Sequence, residues 1–412
     1  MPKRILPYAM WIFPLAFFAY QFILRLWPSL MMQQIMQQFQ IDATGFGLLA
    51  SIYYYGYAGM QLPIAVLLDR YGARYIVFIC AFTCGLATLL FTYTTNWHLA
   101  LLSRFLVGAG SAAGFLATSK VISQWFGSQY YARMVGFSFT VGLLGAIYGG
   151  KPVSLMVENF GWQFVADYLA LVSIIIGLLT LLFLKTSSTG EKKEHPICLH
   201  DFVKLLKSPA IWLLAIANLL MVGPLEGFAD VWGVNYLIAA INLNKADAAG
   251  IVSCIFVGML FGGPLLASIA KRFGNYTVIT GCSVGMVLAF VYLLFGKDLS
   301  NTYFLSFLFF VVGILCCYQV LVFASGSEMV TPAMLGVTVA FLNCINMLGG
   351  SFFHSTIGWA MDMFWTCLTD NGIRQYDVES YQKSLLIIPL AAAVGGLIVI
   401  MLNISGKKHA VR

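Results

Sequence analysis

Two stretches decide the fold, LPIAVLLDRYGAR (Leu62–Arg74) and GPLLASIAKRFGN (Gly263–Asn275). In each, an apolar helix with a Pro-containing step runs into a basic hairpin that contains glycine. A new apolar run follows each hairpin. Gly72 and Gly274 stand 202 residues apart (274 − 72). A repeat of that length in an apolar chain points to two similar halves, each crossing a membrane several times.

The composition agrees. Of 412 residues, 60% are hydrophobic and only 9% are charged, against about 25% charged in a soluble domain. Lipid solvates such a surface and water does not. The net charge of +7 (23 basic minus 16 acidic) sits in short loops and forms no stripe or tail. That placement follows membrane topology, and no nucleic-acid partner is expected. Most of the nine cysteines fall inside apolar runs, where Cys behaves as a small hydrophobe. His195, Cys198 and His200 match no usual metal spacing, so neither a metal nor another cofactor is expected. The first apolar run is too long for a signal-peptide core and lacks a cleavage site. The absence of HExxH, GxSxG and P-loop patterns argues against a membrane enzyme and an ATP-driven pump.

A span needs about 20 apolar residues. Twelve such runs are predicted, at 8–32, 45–68, 74–94, 98–122, 134–157, 163–185, 209–238, 247–270, 276–296, 302–325, 332–362 and 383–404. The fold class is therefore an all-α polytopic membrane protein with twelve transmembrane helices in two six-helix halves. The halves are predicted at 1–185 and 209–412, with a polar linker at 186–208. Lys and Arg set the orientation. With the N-terminus inside, residues such as Arg70, Arg74, Arg133, Lys271 and Arg272 are cytoplasmic. Only Lys245, Lys297, Arg374 and Lys383 lie opposite. Both termini and the linker are thus expected on the cytoplasmic side of a bacterial inner membrane.

The hairpin after span 2 reads Ala65, Val66, Leu67, Leu68, Asp69, Arg70, Tyr71, Gly72, Ala73, Arg74. It resembles the Gly-x-Leu-x-Asp-Arg-x-Gly-Arg-Arg signature of the major facilitator superfamily. The opening Gly is replaced by Ala65, and one closing basic residue by Ala73. RFLVGAG (Arg104 to Gly110) in span 4 is similar to the family's Arg-x-x-x-Gly-x-Gly motif. The resemblance covers essentially the full chain. It implies alternating access, with a substrate site near mid-membrane. FILRLWPSLMMQQI, YYYGYAGMQLP and ADVWGVNYL further resemble a bacterial clade similar to lysosomal dipeptide transporters and phagosomal amino-acid transporters. In GAIYGG on span 5, Ala146 replaces the Pro of the drug–proton antiporter motif, which weakens an exporter reading without excluding it.

Asp69 sits where span 2 leaves the membrane. It can favour a neighbouring helix N-terminus and pair with a nearby cation. With Arg70, Gly72, Arg74 and Arg133 it forms the expected conformational latch, Arg133 being the expected partner. The basic residues equally read as topology anchors. Lys271 occupies the Asp69 position in the second repeat, so no mirrored acidic latch is expected there.

An ionisable residue within a span costs about 2.5–3.5 kcal/mol near the middle and is normally kept for a partner or a cavity. Arg25 in span 1 and Glu226 in span 7 are 201 residues apart (226 − 25), close to the repeat offset. They are expected to line the central cavity as equivalents of opposite charge. Gln21 lies one turn before Arg25, and Asp230 one turn after Glu226. Asn218, Glu226 and Asp230 read as one polar stripe. Arg104 and Lys151 add cations in the first half, whereas Lys120 is expected to snorkel to the surface. Tyr53, Tyr57 and Gln61 form a stripe on span 2 that fits either a polar cavity or helix packing. Asn343 and His354 share a face of span 11. Glu328 and Asp362 read as caps at helix ends.

The expected substrate residues are therefore Arg25, Gln21, Tyr53, Tyr57, Lys151, Glu226, Asp230 and Asn343. Arg104, Glu226, Asp230 and His354 are the proton-coupling candidates. Cations in one half and anions in the other suit an amino acid or small peptide, moved with or without protons. Alternatives are an organic-anion carrier using Arg25, Arg104 and Lys151, a drug or metabolite exporter, and a receptor that binds the solute without moving it. Arg25 and Glu226 either grip a zwitterion or pair as a gate. The expected partners are a small solute, zwitterionic or anionic, and the bilayer around a monomer.

Overall fold

The computed structural model describes residues 6–185, 205–296, 299–331, 334–370 and 372–410. Most of the expected linker, including His195, Cys198 and His200, lies outside the described residues. Among the described residues, eleven helical stretches are long and apolar enough to cross a bilayer. One of them, Ala43–Tyr93, holds 51 residues. At ~1.5 Å per residue it is more than twice the ~30 Å hydrocarbon thickness. It breaks at Gly72, where φ is 78° and ψ 161°. A side chain rarely adopts that conformation, so glycine is required there. The stretch supplies spans 2 and 3, which makes twelve. Gly161 (φ 81°) and Gly274 (φ 83°) turn the chain in the same way between spans 5 and 6 and spans 8 and 9.

Contacts divide the chain into two compact units. The first comprises Met1–Ile41 and Leu48–Glu194, and the second Asp42–Gly47 and His195–Arg412. Span 1 of the first unit is Leu6–Phe39, span 4 Trp97–Trp125, span 5 Gln129–Phe160 and span 6 Trp162–Phe183. Spans 7 to 10 of the second are Pro209–Ile241, Lys245–Phe273, Asn275–Phe295 and Thr302–Glu328. Span 11 is Leu335–Met363, and span 12 is Val378–Ile404. A two-residue antiparallel ribbon, Thr369–Asp370 with Ile373–Arg374, interrupts the loop before span 12.

The repeat seen in the hairpins extends into the packing. In the first unit a Cβ on Gly56 would overlap the Phe105 backbone, and one on Gly108 the Tyr53 backbone. In the second, Gly258 meets Phe310 and Gly313 meets Ile255 in the same manner. Gly56 and Gly258 differ by 202 (258 − 56), the hairpin offset. Small residues let helix backbones approach, which matters in lipid because no hydrophobic effect drives helices together. Gly142, Gly145 and Gly149 of span 5 similarly press against Phe18, Ala19 and Ile23 of span 1.

The second unit takes in Asp42–Gly47, the start of span 2. There Thr44 N donates to Asp362 Oδ2 at 2.7 Å, and Arg374 Nη1 donates to Asp362 Oδ1 at 2.9 Å. The Tyr376 hydroxyl donates to the same carboxylate and accepts from Ala43 N at 2.9 Å. Asp362 thus satisfies a helix N-terminus as well as an arginine. Burial, and then the bond to Asp362, push the Tyr376 hydroxyl above the usual phenol range.

Candidate substrate site

In the first unit the structure joins spans 1, 2 and 4 around one buried cation. Gly108 lets span 4 lie against the Tyr53 backbone, one turn from Arg104. The Arg104 guanidinium carbon then stands 5.1 Å from the Tyr53 ring centroid. Its Nη1 donates to the Leu24 carbonyl at 3.0 Å. Arg104 is only 3% exposed, and among the described residues no carboxylate pairs with it and its Nε has no hydrogen-bond partner. The Tyr53 hydroxyl donates to Gln21 Oε1 at 3.2 Å. Arg25, one turn beyond Gln21, is half-buried with its guanidinium 5.0 Å from the Phe22 ring centroid. Tyr57 stacks on Tyr53 with centroids 6.3 Å apart. A desolvated guanidinium on an aromatic face, with unspent donors, is suited to an anion.

Lys151 is exposed at the start of Lys151–Phe160, after the helix breaks at Gly149 and Gly150.

In the second unit Glu226 and Asp230 are 2% and 1% exposed. They lie on a π-helical stretch, Gly223–Trp232, within span 7. This wider turn departs from the α-helical register on which the Asn218–Glu226–Asp230 stripe was counted. Pro224 lacks an N–H, and Gly223 and Gly227 pack against Phe353 of span 11. Such wide turns recur at functional sites.

Asn343, an expected substrate residue, is half-buried on span 11. Three residues on, Asn346 is fully buried, and neither of its amide atoms has a hydrogen-bond partner among the described residues. Asn218 shows the same pattern, and its backbone carbonyl accepts from the Tyr318 hydroxyl at 2.9 Å. Packing places the two amides at similar heights: Gly326 touches both Leu214 and Leu342, and Gly349 touches Leu219 and Val222. The signal available in the sequence was the same for both, an amide in an otherwise apolar helix. His354 is buried, with its carbonyl against Gly47.

The latch differs from expectation. Asp69 pairs with Lys120, Nζ to Oδ1 at 2.7 Å. Arg133, the expected partner, is exposed beside the Phe137 ring. Lys120, expected to snorkel to the surface, is part-exposed and reaches Asp69. Span 4 is interrupted at Ala112, between Trp97–Ser111 and Ala113–Trp125. Arg74 Nε donates to the Leu181 carbonyl at 2.6 Å, tying the hairpin to span 6. In the second unit the corresponding hairpin is tied by Asn275 Nδ2 to Glu328 Oε1 at 3.3 Å. The acidic group there comes from span 10, so the polarity of the tie is reversed.

Twelve apolar helices in two packing-related units, with buried ionisable side chains inside spans, define a polytopic membrane protein of the carrier type. Residues 12–354 match the family model of the Major Facilitator Superfamily. The chain belongs to that superfamily.

It is 26% identical over 271 residues to probable anion transporter 6, chloroplastic, of Arabidopsis thaliana, covering 59% of this chain and 50% of that protein. It is 24% identical over 270 residues to the probable galactarate/D-glucarate transporter GudP of Bacillus subtilis (strain 168), covering 56% and 58%. The matches therefore span little more than half the length of these relatives. The fold is similar to the crystal structure of a bacterial homolog to the human lysosomal transporter Spinster, in an inward-facing and occupied conformation. There the TM-score is 0.79 at 14% identity, covering 97% of each chain.

Proposed function

We propose that this chain is a secondary transporter that moves a small carboxylate-bearing solute by alternating access. The observation that carries the reading is Arg104, a buried guanidinium lying on Tyr53 with donors that no carboxylate of the described residues takes up. Arg25, Gln21 and Tyr53 add polar groups around it. The names of the two relatives, an anion transporter and a sugar-diacid transporter, support an anionic substrate.

Amino acids and small peptides remain within this class because they carry a carboxylate. The buried Glu226 and Asp230 favour that second reading, since an acid kept from water suits an ammonium group or a proton. The Lys/Arg asymmetry supports placing the Arg70–Arg74 hairpin on the cytoplasmic side of an inner membrane. We read Asp69, with Lys120, as the latch that biases one conformation.

The reading is tested by thermal shift of the purified protein against sugar acids, dicarboxylates, amino acids, dipeptides and uncharged sugars. Stabilisation by one or more carboxylates, lost in Arg104→Gln, is the expected result. Stabilisation by uncharged sugars alone would overturn it.

A further inference from the structure

A groove of about 520 Å³ runs along the first unit, lined by spans 2, 3 and 4. None of its lining residues belongs to the candidate substrate site. On span 2 it is formed by Met60, Ile64, Leu67 and Tyr71, spaced so that they share one helix face. Its walls are almost wholly apolar, and Ile79 and Tyr75 on its span 3 side are more than half exposed. Its length is informative. Met60 to Tyr71 is eleven residues (71 − 60), or ~16 Å of helix at ~1.5 Å per residue. One leaflet of a ~30 Å hydrocarbon core is ~15 Å deep. The groove is therefore about one leaflet deep and begins at the basic hairpin.

The hairpin end is built differently from the rest. Tyr71 and Tyr75 line the mouth, and each carries the preceding arginine beside its ring. Arg70 lies 5.3 Å from the Tyr71 centroid, and Arg74 lies 5.7 Å from that of Tyr75. Arg70 is exposed, while Arg74 is held through Nε on the Leu181 carbonyl. The adjacent carboxylate, Asp69, is balanced by Lys120. A pair of arginines over aromatic rings at the interface, above an apolar slot one leaflet deep, complements a phosphate headgroup with a chain below it.

We propose that this groove binds an anionic phospholipid from the hairpin-side leaflet, with one acyl chain along spans 2 to 4 and the headgroup phosphate on Arg70 and Arg74. The occupant is a lipid because the slot lies along membrane-spanning helices, has exposed apolar side chains on its span 3 side and is apolar along its length. The arginine pair selects for negative charge. In this view Arg70 is more than a topology anchor, since it sets which lipid is retained.

The test is native mass spectrometry of the detergent-purified full chain, titrated with dipalmitoyl phosphatidylglycerol or dipalmitoyl phosphatidylcholine. The expected result is one tightly held phosphatidylglycerol, with phosphatidylcholine retained several-fold less. Arg70→Gln should lower the affinity for phosphatidylglycerol about fivefold, the effect of one basic residue near an anionic surface. Arg133→Gln removes an exposed basic residue from the start of span 5, outside the groove lining, and should change nothing. Ile79→Trp fills the slot from an exposed position and should displace the lipid, with the unfolding temperature kept as a check on folding. Glycerol phosphate should not compete, because it has no chain. Equal retention of the two lipids, or an unchanged adduct in Ile79→Trp, would overturn the proposal. Equal effects of Arg70→Gln and Arg133→Gln would reduce the binding to surface charge and overturn it as well. Competition by glycerol phosphate would show an anion site without a chain groove.

Discussion

Replacing Arg104 by Gln separates binding from stability, and the structure gives the size of each. The side chain donates to the Leu24 carbonyl at 3.0 Å and sits 5.1 Å from the Tyr53 ring centroid. A hydrogen bond from a charged group contributes about 1.5–3 kcal/mol, and a desolvated cation–π contact about 2 kcal/mol. Against these stands the desolvation of a buried guanidinium, of the order of several kcal/mol after relaxation. The terms nearly cancel, and Gln can still donate to the carbonyl. The folded state should therefore change by no more than about 1 kcal/mol, a shift in unfolding temperature of a few degrees at most. A bound carboxylate, by contrast, loses one charged hydrogen bond or more. That corresponds to roughly 10–150-fold in Kd. The assay is paired: thermal unfolding of wild type and Arg104→Gln, and titration of both with the carboxylate that the screen identifies. Arg104→Lys, which keeps the charge but loses the planar fork, should fall between them. Unchanged affinity in Arg104→Gln would refute the reasoning. Collapse of the fold in both Arg104 variants would show that the residue is held for packing.

Other outcomes follow from the same geometry. Asp69→Asn and Lys120→Gln should each slow transport while leaving ligand affinity and unfolding temperature nearly unchanged. Their side chains are 68% and 33% exposed, so the pair contributes no more than about 1 kcal/mol to folding. The double variant should be no slower than either single one, as a cycle of transport rates would show; additive losses would separate the two residues. Gly72→Ala should destabilise the first unit by about 1–3 kcal/mol, measured by unfolding. The space around Gly72 is open, so this effect is conformational and not steric.

The fold was legible because its determinants are local. Gly72 and Gly274 mark turns that only glycine adopts readily, and apolar runs between basic hairpins leave little choice but to span. The structure carries the 202-residue offset further, into Gly56 and Gly258, whose roles depend on facing backbones that no sequence shows. Of the candidate site, the charged residues were legible. Arg25, Arg104, Glu226 and Asp230 stand out because charge in a span is expensive, and Arg104 is buried on Tyr53 and bonded to the Leu24 carbonyl. Angular position was less legible. Counting at a fixed angle assumes one uninterrupted α-helix, and the π-turn at Gly223–Trp232 departs from that. The pairing of Lys120 with Asp69 depends on two helices meeting, which no single-helix count contains. On span 11, which is continuous, Asn346 is buried and Asn343 half-buried; which face of the helix packs inward depends on its neighbours, and the sequence of one helix does not say.

The central claim, that the chain moves a carboxylate, is tested most directly by uptake into proteoliposomes. Wild-type protein is reconstituted with the labelled carboxylate that stabilises it most, and accumulation is followed with and without a proton gradient. The account predicts saturable uptake by wild type, near-complete loss in Arg104→Gln, and slowed uptake with intact binding in Asp69→Asn. Binding of the carboxylate with no uptake under any gradient or counterflow condition would contradict it and leave a membrane receptor in place of a transporter.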